Sequence, residues 1–262
     1  MFEELLEDEA QNNGLREVNT WVKLAAGLGS LLLCLLSEGY AAPLLIALLL
    51  SAVILTLARI NARFYAELFL VPVWFALASS IVIVLVSGGR TVFWNFDAIP
   101  FLSLSVTKES INQGFFILCR VVGGTSALLF IALTTPMTDL FIVMRRCRIP
   151  DFIIDLAMII YRTIFFLLDQ VRQIYHAQVM RLGYFTWRES IMTFSMMCGA
   201  AFIASWDAGD DLIRAMDARC YDGKFALLGE NQPAGIYSVA VLALFLVLGS
   251  ATVLMTRGMT LL

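Results

Sequence analysis

Apolar residues run almost unbroken along five stretches of this chain, 22–36, 40–58, 67–86, 115–134 and 235–256, with polar or glycine-rich breaks between them. A membrane-spanning helix needs about 20 mostly apolar residues. Each stretch therefore predicts a span, the first being the shortest and extending back toward Asn19. Ser37-Glu38-Gly39 reads as a turn, Arg59 and Arg63 end the second span, and Ser87-Gly88-Gly89-Arg90 closes the third. The segment 87–114 reads as a loop. Its Trp94, Asn95, Phe96 and Asp97 suit an interfacial aromatic anchor, with a ligand-binding loop as the other reading.

Between 135 and 219 the pattern changes. Thr135-Pro136 predicts a hydroxyl N-cap followed by a proline in the first turn, where a missing N–H costs nothing. Ile149-Pro150-Asp151 repeats that arrangement, with a carboxylate favoured by the helix dipole. Thr186-Trp187-Arg188-Glu189 reads as a capping box, and Gly183 just before it as a helix-ending residue. The expected elements are a short helix over 136–147 and two long ones over 150–182 and 187–219. Each long helix would measure about 50 Å, more than a bilayer core of about 30 Å.

Asp155, Arg162, Asp169 and His176 recur every seven residues on the first long helix, with Arg172 nearby. That spacing predicts one charged face opposite Ile153, Ile154, Ile160, Phe165 and Leu168. The second is apolar from Ile191 to Ala204 and then charged through Asp207, Asp210, Asp211, Arg214, Asp217 and Arg219, with Arg214 in reach of Asp210 and Asp211. Both helices suit a place along the cytoplasmic boundary. The alternative for 191–206 is a sixth span, for which 16 residues is short.

Of the 262 residues, 60% are hydrophobic and 15% charged, against roughly 25% charged in a soluble domain. Mean hydropathy is +0.83. This excludes a soluble enzyme or a secreted module and makes the lipid bilayer the chain's first partner. A net charge of −3 with no domain-wide basic face gives no reason to expect nucleic acid. The fold class is all-α: a polytopic membrane helix bundle with long amphipathic cytoplasmic helices. Its expected divisions are 1–134 (N-terminal transmembrane helices), 135–224 (the cytoplasmic helical region) and 235–262 (a C-terminal transmembrane helix). Ten of the 18 Lys and Arg lie between Arg145 and Lys224, which places that region, the Arg59/Arg63 turn and the N-terminus in the cytoplasm of a cell (inner) membrane protein. The acidic start (Glu3, Glu4, Glu7, Asp8, Glu9) does not read as a signal peptide.

Chemistry-bearing residues are few. The five cysteines have no CxxC spacing and read as small buried hydrophobes, and a single histidine, His176, cannot build a histidine metal cluster. No catalytic residue, metal site or cofactor is expected. Phosphate-binding, zinc-protease and nucleophile-elbow motifs are missing, so active transport would draw its energy from another subunit or an ion gradient. Arg120, near the start of the fourth stretch, reads as structural, either pairing within the bundle or snorkelling outward, with an ion path as the alternative. Arg181 and Arg219 are more specific. Each ends a long helix before a turn, Leu182-Gly183-Tyr184 in one case and Cys220-Tyr221-Asp222-Gly223-Lys224 in the other. A guanidinium projecting there suits an acidic groove on a partner protein; the other reading is an arginine that complements the helix dipole.

These residues resemble the T component of energy-coupling factor (ECF) transporters, and specifically the CbiQ-type subunit of cobalt importers. The likeness runs through Val22-Lys23-Leu24, Arg120, Thr134-Thr135-Pro136, Ile149-Pro150 and Tyr161-Arg162. It continues in Ala177-Gln178-Val179-Met180-Arg181-Leu182-Gly183-Tyr184 and in Arg214-Ala215-Met216-Asp217-Ala218-Arg219-Cys220-Tyr221-Asp222-Gly223. In that family two Ala-Arg-Gly motifs end two coupling helices, and each arginine enters a groove of one of two cytoplasmic ABC ATPases. The resemblance implies that Met180-Arg181-Leu182, with Gly183, and Ala218-Arg219-Cys220 hold those positions. Both depart from the motif: Met180 stands for its alanine, and Leu182 and Cys220 for its glycines.

The resemblance further implies a non-catalytic coupling subunit working with a substrate-binding membrane S component, CbiM-like with a CbiN-like accessory. Its substrate would be cobalt or nickel; a vitamin is the nearest alternative, since another subunit selects it. A self-contained secondary carrier would need polar residues converging at mid-membrane, where only Arg120 and scattered Ser and Thr are on offer.

Overall fold

A computed structural model describes residues 7, 9–11, 13–16, 18–86, 92–99, 102–221 and 235–256. The early acidic residues Glu3, Glu4 and Asp8, Arg90, and the turn residues Asp222, Gly223 and Lys224 lie outside them. The chain divides into two compact units, one comprising Met1–Leu140 and Gly229–Leu262 and the other Phe141–Leu228.

The first unit holds α1 (Thr20–Leu36), α2 (Ala41–Thr56), α3 (Ala62–Val86), α4 (Lys108–Thr134) and α8 (Ile236–Met255). These are the five expected spans. Helix α3 starts five residues and α4 seven residues earlier than the apolar runs do, because capping chemistry rather than hydropathy sets a helix end. Thr107 and Ser110 cap α4 reciprocally, Ser110 N donating to Thr107 Oγ1 at 3.2 Å and Thr107 N to Ser110 Oγ at 3.0 Å. Helices α3, α4 and α8 are long and apolar enough to cross a membrane, as is Trp187–Ala218 of the second unit, while α1 and α2 are apolar but shorter.

The loop expected over 87–114 contains a two-stranded antiparallel hairpin, β1 (Val92–Ile99) and β2 (Leu102–Thr107). Trp94, Asn95, Phe96 and Asp97 therefore sit on a strand. Trp94 pairs with Val106 and Phe96 with Leu104.

Helix α4 is the bundle's centre, packed against α1, α2 and α3. In a lipid setting close approach comes from small residues rather than from hydrophobic exclusion. Gly123 lies against Cys34 and Pro43, and Gly114 against Ser80, whose hydroxyl donates to the Gly114 carbonyl at 2.8 Å. Ile46, Leu50, Ile54, Ala127, Phe130 and Leu133 make up much of the buried core.

Helices α1 and α4 run antiparallel, and each carries a cation that caps the other's C-terminus. Lys23 is 2% exposed, and its Nζ donates to the Thr134 carbonyl at 3.0 Å. Arg120 Nη2 donates to the Leu35 and Ser37 carbonyls at 2.8 and 2.7 Å, and its guanidinium lies 4.6 Å from the Phe116 ring centroid. The last carbonyls of a helix lack internal partners and carry the negative end of its dipole, so a cation is the group that suits them. Arg120 thus has the structural role read for it, by pairing within the bundle. Asn13 Nδ2 adds donations to the Leu133 and Thr134 carbonyls, and Thr20 Oγ1 donates to Asp139 Oδ2 at 3.3 Å.

The contacts of α8 give the bundle its sidedness. Gly29 faces Leu246, Gly249 faces Leu33 and Gly39 faces Thr256, so α8 runs parallel to α1. The start of α8 and the end of α4 are consequently at the same end of the bundle, together with Lys23, and Gly14 N, which donates to the Ala58 carbonyl at 3.1 Å.

Helix α5 (Met137–Arg146) leads into the second unit, which holds α6 (Asp151–Met180) and α7 (Trp187–Ala218). All three lie within two residues of the boundaries read from their ends. Two caps differ. Thr135 ends α4 in an extended conformation instead of starting α5, and its buried hydroxyl has no hydrogen-bond partner. Thr186 does stand at the N-cap of α7, but its hydroxyl donates to Glu189 Oε2 at 2.7 Å and no backbone cap bond forms.

The charged face of α6 also departs from its sequence reading. Arg162, Asp169 and His176 are exposed, whereas Asp155 is buried beside Ile154. Arg145, in the last turn of α5, reaches back to it: Nη2 lies 3.1 Å from Asp155 Oδ1, and Nε lies 3.5 Å from Asp151 Oδ1. Phe141, Tyr161 and Phe165 stack edge to face on the same joint. Ile153 and Ile160, read as lying opposite the charged face, are exposed with Phe152, Leu156 and Ile164 along an apolar stripe. Arg214 forms no ion pair with Asp210 or Asp211, as is common where two solvated side chains would lose entropy for little Coulomb gain. Cys34 and Cys119 are buried as read, but Cys147, Cys198 and Cys220 are exposed.

Candidate functional site

Helices α6 and α7 end in the same backbone motif. Arg181 follows the last residue of α6 with φ −90° and ψ 8°, and Arg219 follows α7 with φ −98° and ψ 8°. After each comes a residue in the left-handed region, Leu182 at φ 59° and Cys220 at φ 53°. The hydrogen bonds match as well. Leu182 N donates to the Val179 carbonyl at 3.0 Å and Gly183 N to the Gln178 carbonyl at 3.0 Å. Cys220 N donates to the Asp217 carbonyl and Tyr221 N to the Met216 carbonyl, both at 3.1 Å.

This is the Schellman termination, in which a left-handed residue turns the chain so that two orphan carbonyls are satisfied. It fixes each arginine as the last residue before the reversal. Glycine is the residue that usually adopts this conformation, because it has no Cβ to clash. The left-handed position here falls on Leu182 and Cys220, one before the glycine in the case of Gly183.

Gly183 is required for a different reason. A Cβ there would lie 2.8 Å from Thr193 Oγ1 and 3.1 Å from Thr193 Cγ2. Thr193, buried on α7, donates through Oγ1 to the Gly183 carbonyl at 2.9 Å. Tyr184 OH donates to Met197 Sδ at 4.0 Å, and the Tyr175 and Tyr184 rings stand 5.2 Å apart. The corner between α6 and α7 is therefore closed by contacts from both helices.

Met180, Arg181, Leu182, Ala218, Arg219 and Cys220 are all exposed, and Gly183 is half-buried. The fold gathers them into two separate sites. Helix α7 has 32 residues, so its ends lie about 48 Å apart. Arg181 precedes Trp187 by six residues, a reach of at most about 21 Å. The two arginines are therefore separated by at least about 25 Å. Each exposed guanidinium offers a planar fork of donors matched to a carboxylate.

Sequence reasoning missed two residues at the first site. Phe185 is 85% and Trp187 82% exposed, beside Met180 at 85% and Leu182 at 72%. A signal existed: two large aromatics in a polar turn are out of place unless something covers them. His176, whose ring lies 5.8 Å from that of Tyr175, is exposed on α6 as read. Among the described residues no group of three His, Cys, Asp or Glu side chains stands close enough to hold a metal ion.

Comparison with known proteins places the chain. A putative fused cobalt transport protein CbiMQ of Methanocorpusculum labreanum is 35% identical over 246 residues, covering 94% of this chain and 41% of that protein. An uncharacterized protein of Methanocaldococcus jannaschii is 31% identical over 245 residues, 94% of this chain and 91% of the other. The cobalt transport protein CbiQ of Rhodobacter capsulatus is 28% identical over 229 residues, 87% of this chain and 88% of that protein. The chain thus spans less than half of the fused relative and about nine-tenths of the other two. Residues 11–232 match the family profile described as CbiQ, cobalt transport protein. With that match and its membrane-length helices, this multi-pass membrane chain belongs to the CbiQ family of cobalt transport proteins.

Proposed function

We propose that this chain is the transmembrane coupling subunit of an ECF-type importer for cobalt, set in the cell membrane with its N-terminus in the cytoplasm. The observation that carries the reading is the pair of long helices that end in the same termination, each presenting an exposed arginine, with the two held at least about 25 Å apart. One partner groove could not take both; two partner subunits could.

In this reading each arginine enters an acidic groove on one of two cytoplasmic ABC ATPases. The chain has no phosphate loop, so ATP is hydrolysed on those partners. ATP binding closes them and moves the two helix ends. Helices of 30 and 32 residues, about 45 and 48 Å long, carry that movement as levers. The Arg145–Asp151–Asp155 joint links the start of α6 firmly to the last turn of α5. The bundle in turn reorients a substrate-binding membrane subunit, CbiM-like with a CbiN-like accessory. The fused CbiMQ relative supports that partnership, since this chain matches only part of its length.

The test is the double variant Arg181→Glu with Arg219→Glu in the assembled transporter. Both ATPases should fail to co-purify while the chain remains inserted, and uptake of labelled cobalt should fall to background, with nickel tested as competitor. Normal ATPase recovery and uptake in the double variant would sink the reading.

A further inference from the structure

The chain passes from α4 to α5 through two residues, Thr135 and Pro136, and neither side chain ties that break down. Thr135 is extended at φ −122° and ψ 105°, its buried hydroxyl has no hydrogen-bond partner, and Pro136 carries no N–H. The donors come instead from residues 13–23. Before the break, Asn13 Nδ2 donates to the Leu133 and Thr134 carbonyls, both at 3.2 Å, and Lys23 Nζ donates to the Thr134 carbonyl at 3.0 Å. Beyond it, Thr20 Oγ1 donates to Asp139 Oδ2 at 3.3 Å, in the first turn of α5. The Asp139 carboxylate also attracts the Lys23 ammonium through its charge.

Capping a helix end does not account for this arrangement. Water or an exposed lysine satisfies the last carbonyls of a helix equally well. Here Lys23 and Thr20 are each 2% exposed and Asn13 is 6% exposed, although lysine is almost never fully buried. A cap for α4 also has no need of the Thr20–Asp139 bond, which lies on the next helix. The other end of the α1–α4 pair gives the contrast. There Arg120 is half-buried and grips only the Leu35 and Ser37 carbonyls, on one side of one helix end. The buried donors at Lys23 hold both sides of a break between two helices.

Resting on the coupling role proposed above, we propose that Asn13, Thr20 and Lys23 form a latch that passes movement of α5 into α1 and α4. They are positioning residues, since they touch neither ATPase nor substrate in that reading. Helix α5 has ten residues and measures about 15 Å. With the latch closed it cannot swing on Thr135 and Pro136 without carrying the ends of α1 and α4 along. With the latch open the break flexes, and movement of α5 is spent there.

The experiment uses the chain assembled with its ATPases and substrate-binding subunit in proteoliposomes. Thr20→Val keeps the shape of the side chain and removes its hydroxyl, Lys23→Met removes the ammonium, and Thr20→Ser restores a hydroxyl. In Thr20→Val and in Lys23→Met the amides of Asp139 and Leu140 should exchange hydrogen about tenfold faster, while those of α8 stay unchanged. Labelled cobalt imported per ATP hydrolysed should fall about fivefold or more in both, with ATPase recovery as in the unaltered chain. Thr20→Ser should stay within about twofold of the unaltered chain in both measurements.

Faster exchange with an unchanged yield of cobalt per ATP would overturn the proposal and leave the three residues as a helix cap. Unchanged exchange at Asp139 and Leu140 would overturn it as well, since the break would then be held by something else. Thr20→Val decides by itself if Lys23→Met fails to fold. An unaltered chain that recovers no ATPases would overturn the coupling role, a result read before any latch variant is compared.

Discussion

Leu182 and Cys220 occupy backbone positions that glycine fills more comfortably, and each keeps its side chain exposed beside an arginine. A left-handed residue with a Cβ costs roughly 1–2 kcal/mol, part of which glycine gives back through its freer unfolded chain. Leu182→Gly and Cys220→Gly should therefore each stabilise the chain by about 1 kcal/mol, seen as a higher unfolding midpoint in detergent. Gly183→Ala should lower the midpoint, because its Cβ would press on Thr193.

That Arg181 and Arg219 end their helices was legible from sequence, since a cation before a turn at a helix end is a local pattern. The register of the turn was not. Gly183 drew the helix stop onto itself, although the left-handed residue is Leu182. Its own constraint comes from Thr193, ten residues away on another helix, which no local pattern reveals.

Among elements, the antiparallel pair α1 and α4 shows what hydropathy alone leaves out. The runs that become these helices were plain in the sequence, and so was the structural use of Arg120. That Lys23 and Arg120 cap opposite ends of the same pair was not, because each reaches a carbonyl 83 to 111 residues away. A hydrogen bond from a charged donor contributes about 1.5–3 kcal/mol, and a buried acceptor left without its partner adds to the loss. Arg120→Ala and Lys23→Ala should each destabilise the chain by about 2 kcal/mol. Arg120→Lys should recover only part of the first loss, since an ammonium is a point charge and cannot serve two carbonyls with the same fork geometry. Their caps stand about 20 Å apart along the helices, so the double variant should lose the sum of the two. Tryptophan-monitored thermal unfolding in detergent measures all four. An interaction energy well above about 0.5 kcal/mol in that cycle would show that the two clamps act as one unit.

At the scale of the whole molecule, the first unit constrains how often the chain crosses the membrane between α4 and α8. Helix α4 ends and α8 begins at the same end of the bundle, as the Lys23–Thr134 bond and the parallel run of α8 beside α1 require. Residues 135–234 must then cross an even number of times. Helix α7 has a window apolar enough to span, but a lone crossing by it would break that parity. A compensating crossing by α6 would take Arg162, Asp169 and Arg172 through the hydrocarbon, at about 2.5–3.5 kcal/mol for each charge at the centre. We propose zero crossings, which would leave the exposed apolar residues of α6 and α7 for the bilayer boundary and for partners. Single cysteines introduced into a cysteine-free chain at Arg63, Arg146 and Tyr221 should react with a membrane-impermeant maleimide from one side, the cytoplasmic one. Cysteines at Glu38 and Thr256 should react from the other side. Labelling of positions 146 and 221 from opposite sides would mean an odd number of crossings between them, and would make α7 a true span.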